Sequence, residues 1–444
     1  MNAIFSYLDD LGITSFDKLN EYMSTNDIKE IFNMAKYLRF IIDNNFEQNP
    51  YSPFSFVPSG DISGTGGCSG IECRIKRATQ FSYWSALYAD TIYLSLEYIT
   101  SAHFVDDIQE IDDYDMFIHA IKSDIAILLT YKSLIEHKIV KITPSNISLC
   151  PHCLQEVLLG DKSTSIVLKL EQEYISDAKI TICDHYPRDR EIIFLLENLN
   201  DFFPDHPSYY HITGRAYDKL VNGEKSFTKK VKTIRTKQHV IRQLLQEQIS
   251  ETSRHSIICK ELNSKCITSA PIDLKLFEFS KNTSFDGNIR SYDKLPKYDM
   301  PFVKDTSLDN IIRLREIESD SFNRYRLALN CAIKEAYANN DQRNTQQIFD
   351  DIVYPQLLHL NEQLHKAKSG VFKKTFSTIS INICVIVAGI YTGIIPKNYP
   401  EIITAMGGIS TLIGAGHSIF NSNTKINDTL RENDFYFLWK LLRN

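Results

Sequence analysis

The sequence predicts an α+β protein that is mostly helical, and three observations support this. Apolar residues recur at helical spacing through much of the chain, as in residues 26–45. Short runs rich in β-branched residues, at 139–142, 178–183 and 192–196, predict strands between the helices. Two long uncharged stretches, described below, predict hydrophobic helices. We therefore expect a mixed α/β unit followed by a helical C-terminal half that ends in a two-helix hydrophobic hairpin.

The order of these elements predicts four regions. They are a mixed α/β unit, a middle region with a linker, a helical region, and a hydrophobic hairpin with its tail, at residues 1–200, 201–300, 301–370 and 371–444. In the middle region we expect a long helix over 215–250 and a linker over 280–305. The helical region begins at Thr306-Ser-Leu-Asp309, which resembles a capping box.

Composition is that of a globular protein in a reducing compartment. The chain is 43% apolar and 23% charged, which excludes a disordered chain. Nine cysteines, an odd number spread over 444 residues, do not resemble a secreted disulfide scaffold. The first ten residues lack a basic segment and contain two acids, so we expect no signal peptide. The net charge of −6 gives no overall attraction to nucleic acid.

The hydrophobic pair is the most informative feature of the sequence. Residues 375–396 and 402–424 contain no Asp, Glu, Lys or Arg, and about 20 helical residues cross a bilayer core. Basic residues flank both outer ends, whereas the link at 397–401 carries one Lys and one Glu. The positive-inside rule then places both ends in the cytoplasm. We expect a hairpin in the inner membrane with the bulk of the protein on its cytoplasmic face. The alternative is a cytoplasmic protein that buries the hairpin.

Two further features fit the membrane hypothesis. Gly389 and Gly393 form a G-x-x-x-G pattern, which lets helices approach closely in lipid and favours self-association. The tail at 435–439, Phe-Tyr-Phe-Leu-Trp, is suited to the inner membrane interface.

Cysteine spacing predicts a structural zinc site. Cys150-Pro-His-Cys153 is a knuckle that supplies two thiolates to one tetrahedral metal, and Cys68 with Cys73 is the best second pair. Cys183 with His185 is the alternative second pair, and free thiols are the other interpretation. Four thiolates leave no open position on zinc, so such a site would stabilise the fold without catalysing a reaction.

A glycine-rich stretch at 60–70 matches neither G-x-G-x-x-G nor the P-loop, and no convincing strand precedes it in the sequence. A flexible or metal-supporting loop is therefore favoured over a phosphate cradle. An anion site stays open as an alternative because Arg74, Lys76 and Arg77 follow closely.

Two charged runs have a simple and a functional interpretation. The acidic run at 106–115 lacks EF-hand spacing, so a solvated surface is favoured over a cation site. A basic run could contact nucleic acid, although a solvated helix face is favoured because few aromatic residues are interleaved. Its first members are Lys229, Lys230, Lys232 and Arg235.

Several short segments, spread over most of the length of the chain, resemble an uncharacterised bacterial protein family. They are Ala86–Asp90, Leu134–Ile139 leading to Cys150–Cys153, Leu308–Glu316 with Ser321–Arg326, and Phe435–Leu441. The resemblance implies no activity. The order of parts, a large cytoplasmic region before a two-helix hydrophobic tail, is also similar to membrane effectors of bacterial antiviral systems.

These observations favour a membrane-tethered cytoplasmic interaction or sensor protein, with a membrane-disrupting effector of antiviral defence as its specific form. The alternative is a fully soluble binding or scaffold subunit of a multiprotein complex that buries the hairpin. A hydrolase or nuclease using the acidic run and the glycine-rich loop is a third hypothesis, and it is less favoured because no catalytic motif is present. We expect a protein partner or self-association, and no catalytic residues.

Overall fold

The computed structural model describes six parts of the chain. These are residues 2–147, 163–276, 297–299, 307–338, 384–387 and 433–441, with gaps at 50–51, 53, 67–69, 97, 102–103, 106, 112, 187–190, 200, 203–207, 213–228, 231–233, 269, 274 and 435. The described residues are α+β and mostly helical, which confirms the predicted class. The chain divides into unit 1, Met1–Ser145 with Cys259–Ile267 and Leu295–Asn444, and unit 2, Asn146–Ile258 with Thr268–Lys294.

Helices and strands alternate along most of the described chain. The helices are α1 (Asn2–Asp10), α2 (Phe16–Thr25), α3 (Ile28–Asn44), α4 (Gly60–Ser63), α5 (Ile71–Tyr88), α6 (Tyr114–Thr130), α7 (Lys132–Glu136), α8 (Ser163–Ile175), α9 (Ile234–Glu261), α10 (Leu308–Ile317), α11 (Ser319–Ala338) and α12 (Tyr436–Leu441). The strands are β1 (Ser55–Pro58), β2 (Thr91–Leu94), β3 (Val140–Ile142), β4 (Lys179–Tyr186), β5 (Glu191–Glu197), β6 (Ser208–Ile212), β7 (Lys229–Lys230), β8 (Lys265–Thr268), β9 (Lys297–Asp299) and β10 (Cys384–Val387).

A six-stranded sheet has the order β3-β2-β1-β8-β10-β9. The pairs β3–β2, β2–β1 and β1–β8 are parallel, and β9–β10 is antiparallel. Parallel strands need crossover connections, and α5 makes the connection from β1 to β2, while α6 and α7 make that from β2 to β3. Side chains from alternate strand positions, including Phe56, Ile92, Val140 and Ile267, join the main hydrophobic core.

Four helices of unit 1, α2, α3, α6 and α10, begin where the sequence supplies a capping side chain. Asp27 accepts a hydrogen bond from the Glu30 amide at the start of α3, and Asp113 accepts one from the Met116 amide at the start of α6. Such caps satisfy amides that have no partner inside the helix. The apolar spacing then decides which face of each helix is buried, as at Ile31 in α3.

Unit 2 contains an antiparallel sheet in the order β6-β5-β4-β7. Helices α8 and α9 are joined by an ion pair between Glu171, which is 3% exposed at its side chain, and Arg242, with 2.7 Å between Oε2 and Nε. Lys275 Nζ lies 2.6 Å from the carboxylates of both Glu173 and Asp201. These ion pairs join α8 to α9 and to the chain around Asp201 and Lys275.

The long helix predicted over 215–250 begins later than expected. Lys229 and Lys230 form β7, which pairs with β4, and α9 begins only at Ile234. Pairing with a neighbouring strand overrides the weak helical preference of this basic segment. The predicted linker over 280–305 likewise contains a strand, β9.

The C-terminal helices complete the core of unit 1. Ser307 caps α10 by accepting from the Asn310 amide, one residue after the capping box that the sequence suggests. Arg326 is sandwiched between the rings of Phe54 and Phe322, with its guanidinium carbon 4.3 Å from each centroid. Its Nη1 lies 2.7 Å from Asp90 Oδ1, at the start of β2. This contact fixes α11 against the sheet.

Helix α12 occupies a place that differs from the predicted one. The sequence suggests that 435–439 lies at a membrane interface, but Phe437 is fully buried in the core of unit 1. Its ring centroid lies 5.0 Å from that of Phe322 and 5.8 Å from that of Tyr325. Lys440 pairs with the buried Glu318. Tyr436 and Phe437 of the tail therefore pack on protein, in the same core as Phe322 and Tyr325 of α11.

Most of the predicted hydrophobic hairpin lies outside the described residues. The four described residues of its first stretch form β10, in which Val385 lies opposite Tyr298 of β9. A strand at these four residues differs from the helix predicted over 375–396. Among the helices that the structure describes, none is long and apolar enough to cross a membrane. The remainder of the hairpin stays a prediction.

Replacing Phe437 with Ala tests whether α12 belongs to the core. We expect a loss of about 3–5 kcal/mol in the free energy of unfolding, because a fully buried ring leaves a cavity. Both tryptophans, Trp84 and Trp439, lie in unit 1, so their fluorescence in a denaturant titration follows this unit. Ile317→Ala is the control, since Ile317 is 64% exposed and its loss should cost less than about 0.5 kcal/mol. Equal small losses in both variants would contradict the assignment.

Candidate functional site

Two loops meet at the carboxyl edge of the parallel strands in unit 1. The loop at 59–66 follows β1, and the loop at 95–101 follows β2. Because β1 and β2 are parallel neighbours, both loops leave the sheet at the same edge. The neighbour of β1 on the other side is β8. The chain runs from β1 to β2 on one side and reaches β8 on the other side by a separate connection, so the connections diverge at β1. In open α/β sheets, ligands bind at the carboxyl ends of strands next to such a divergence.

The β1 loop requires glycine for a steric reason. Gly64 has φ +76°, and a Cβ placed there would lie 2.3 Å from the carbonyl oxygen of Arg74. The loop also closes on itself, since the Gly66 amide donates to the Gly60 carbonyl at 3.0 Å. From the sequence, no convincing strand was expected before this stretch. The structure shows that expectation to be wrong, because β1 precedes the loop and α5 follows it.

Arg74 holds the β1 loop from inside the protein. Arg74 is only 3% exposed. Its Nε donates to the Gly64 carbonyl at 2.8 Å, and its Nη2 donates to the Thr65 carbonyl at 2.7 Å. Tyr131 donates its hydroxyl to the Ser63 carbonyl at 2.8 Å. Burial raises the pKa of Tyr131 well above its usual value, so the hydroxyl keeps its proton. Three successive carbonyls of the loop are thereby bound by buried donors.

Asp124 holds the β2 loop in the same way. This fully buried carboxylate on α6 accepts from the amides of Tyr98 and Ile99 through Oδ2, at 2.9 and 2.7 Å. Its Oδ1 lies 3.7 Å from Arg74 Nη2. One buried ion pair therefore connects the two loops, and each charge also has backbone hydrogen-bond partners. Removing one partner from such a pair typically costs 3–5 kcal/mol, since the other charge is then buried alone.

The first turn of α5 lies directly after the glycine-rich stretch. Its N-cap is Gly70, which provides no side-chain hydrogen bond to the helix. The first amides of a helix lack partners within the helix and carry a partial positive charge. Because Arg74 is already paired with Asp124, the chemistry that this edge offers a ligand is that of backbone amides and small hydroxyl side chains.

The predicted zinc ligands are only partly described. Cys73 is exposed on the first turn of α5, as a free thiol. Cys68, Cys150 and Cys153 lie outside the described residues. Of the alternative pair, Cys183 and His185 both lie on β4. In the described part of the chain, no three His, Cys, Asp or Glu side chains come together as a metal site. The zinc site stays a prediction.

The two charged runs have structural roles where they are described. Asp107 and Asp113 cap a short 3₁₀ turn and α6 respectively. Lys229 and Lys230 lie in β7, and Arg235 lies in the first turn of α9, whereas Lys232 lies outside the described residues. Strand and helix divide the predicted basic run, so its residues do not share one helix face.

Asp124 was not singled out from the sequence, and Arg74 was noted there only as one of three basic residues that left an anion site open. The sequence did contain a signal for Asp124. This charged residue stands between the apolar Ile121 and the apolar segment 125–128 of the same helix. Charged residues are almost never fully buried unless they are paired. The partner could not be found this way, because Arg74 lies 50 positions earlier and its pairing depends on the tertiary fold.

Comparisons with known proteins give no relative. No protein-family model matches the chain, no curated protein matches it, and no solved structure matches it.

Replacing Gly64 with Ala tests the steric constraint on the β1 loop. Gly12→Ala is a matched control, because Gly12 has φ +73° and open space around it. The control should lose about 1–2 kcal/mol of unfolding free energy from the positive φ alone. Gly64→Ala should lose about 1–3 kcal/mol more, because its Cβ must displace the α5 backbone. Similar losses in chemical denaturation would show that the close approach is absent.

Proposed function

We propose that this protein is a sensor that binds a small phosphate-bearing molecule at the carboxyl edge of its parallel sheet. The observation that carries the proposal is the buried Arg74–Asp124 pair, which fixes the loops after β1 and β2 at that edge. Buried ion pairs contribute little net stability, so a pair that shapes two loops at a sheet edge fits a binding role. Glycines and uncapped helix amides suit phosphate oxygens.

The proposed sensor is tethered to the membrane by residues 375–424, on the cytoplasmic face of the inner membrane. Support comes from the packing on either side of this segment. Phe437 of α12 contacts Phe322 of α11, so the described helices that precede and follow the segment in the sequence pack together in the core of unit 1. A hairpin has both ends on one side of the bilayer, as the basic flanks also require.

The output of this sensor is proposed to be membrane disruption in bacterial antiviral defence. Its support is the order of parts, a ligand-binding region followed by a hydrophobic pair, and the G-x-x-x-G pattern at Gly389 and Gly393. Self-association of the hairpin through these glycines would couple binding to assembly.

A second candidate is a binding subunit that packs the hydrophobic segment within protein. The observation that favours it is β10, whose residues Cys384–Val387 join the six-stranded sheet beside β8. In this candidate the ligand edge is unchanged, and the segment contributes to the sheet instead of entering lipid.

Substitutions at Gly70 test the ligand edge. With full-length protein, isothermal titration calorimetry should detect ATP and inorganic phosphate but not adenosine. Gly70→Asp should lower ATP affinity at least tenfold, because its carboxylate occupies the first amides of α5 and repels the phosphates. Folding should be unaffected, since Asp is a good N-cap. Gly70→Asn is the size-matched neutral control, with a smaller loss. Equal affinity in wild type and Gly70→Asp would exclude this edge.

Fractionation of full-length protein tests the tether. We expect it in the membrane pellet after high-speed centrifugation without detergent. Ile386→Arg should move protein to the supernatant, because a central Arg costs about 2.5–3.5 kcal/mol of insertion free energy. Asn398→Arg, in the predicted link, should stay in the pellet. Wild-type protein in the supernatant would reject the tether and support the second candidate.

A further inference from the structure

Asp273, in unit 2, is another buried carboxyl group, and it forms no ion pair with any residue that the structure describes. The residue is 2% exposed and accepts side-chain hydrogen bonds from Gln248 Nε2 at 2.5 Å, from Thr252 Oγ1 at 2.7 Å, and from Thr268. Gln248 and Thr252 lie on α9, and Thr268 ends β8. The carboxyl group therefore joins the helix to the chain that follows the strand, through neutral groups.

Counting hydrogens decides the protonation state of this cluster. Thr252 has one hydroxyl hydrogen but two oxygens at 2.7 Å, the Gln248 carbonyl and Asp273 Oδ1. An ionised carboxylate would leave one of these short contacts without a hydrogen. A proton on Oδ1 resolves the conflict, because Asp273 then donates to Thr252 and Thr252 donates to the carbonyl.

The other side of the carboxyl group is consistent with this assignment. Thr268 Oγ1 accepts from the Ala270 amide at 3.1 Å, so its hydrogen is directed to Asp273 Oδ2. Oδ2 is thus the carbonyl oxygen of a neutral acid, and Oδ1 keeps a lone pair for Gln248. Each of the hydroxyl hydrogens of Thr252, Thr268 and the protonated Asp273 then has one acceptor.

We propose that Asp273 is a pH-sensitive latch, whose protonated carboxyl group holds α9 to the segment after β8 and whose deprotonation releases it. Release transfers the proton to solvent and leaves a carboxylate that is stable only when water reaches it. The cluster would then open locally in unit 2.

The charges near the latch do not neutralise Asp273. Burial raises the pKa of Asp273 to about 7, and the negative charge of Glu251 on α9 adds to this, whereas the hydrogen bonds from Thr268, Thr252 and Gln248 lower it. Lys275, the nearby cation, pairs with Glu173 and Asp201. His255, also buried, lies on α9 three residues after Thr252, so a test must separate its titration from that of Asp273.

The sign of the pH effect follows from proton linkage. An exposed Asp has a pKa of about 3.9, below the value of about 7 in the closed latch. Between these values the closed state holds a proton that the open state releases, so raising the pH favours opening. The opening constant should rise about tenfold per pH unit from about pH 4 to about pH 7 and then level off.

Hydrogen–deuterium exchange of the full chain, corrected for intrinsic rates, measures this opening between pH 5 and pH 8. Peptides from 244–258 and 268–276 should show opening that increases about 50-fold from pH 5 to pH 7. Asp273→Asn should remove this slope, whereas Asp177→Asn, an exposed carboxylate of the same unit, and His255→Gln should retain it. An unchanged slope in Asp273→Asn would overturn the proposal.

Infrared spectroscopy provides a direct readout of the proton. The wild type should show a protonated carboxylic acid C=O band at pH 6 that is absent from Asp273→Asn and fades by pH 8.5. Thr268→Val should move the midpoint of this band to higher pH, because the lost donor stabilises the ionised form. Since Thr268→Val keeps the carboxyl group, it also serves if Asp273→Asn does not fold. No such band at pH 6, or a midpoint that Thr268→Val moves downward, would refute the latch.

Discussion

The buried pair of Arg74 and Asp124 is the constraint that organises the carboxyl edge of unit 1. Each charge is excluded from water, so each must find full hydrogen-bond partners within the protein. The partners are backbone groups of two adjacent loops, together with the opposite charge. The loops consequently have little freedom, and Gly64 must pass so close to α5 that no side chain fits. Rigid loops at a sheet edge are suited to selective binding.

Unit 1 is built from segments that are far apart in the sequence. Its sheet combines β1 to β3 with β8, and its core is completed by α10 to α12. Contacts such as that between Arg326 and Asp90 join residues more than 200 positions apart. In the sequence, the hydrophobic segment 375–424 is preceded by α11 and followed by α12, and both helices contribute to this core.

Local pattern was enough to predict several helices and three of the strands, but not their partners. The helix at 28–44 and the strands near 140, 180 and 194 follow from periodicity. The capping box predicted to begin at Thr306 lies within one residue of the observed N-cap, Ser307. By contrast, β1 is only four residues long, and β7 begins in a lysine-rich segment, so neither has a periodic signal. The Arg74–Asp124 and Asp273 clusters depend on tertiary contacts, which no spacing rule encodes.

The burial of α12 has a consequence for biosynthesis. Phe437 fills a site between Phe322 and Tyr325, yet the ribosome makes it more than 100 residues after them. Until it is made, Phe322 and Tyr325 lack the ring that covers them in the folded core. The hydrophobic stretches 375–396 and 402–424 are synthesised within that same interval. Translation order therefore delivers both stretches before the last helix of the unit 1 core.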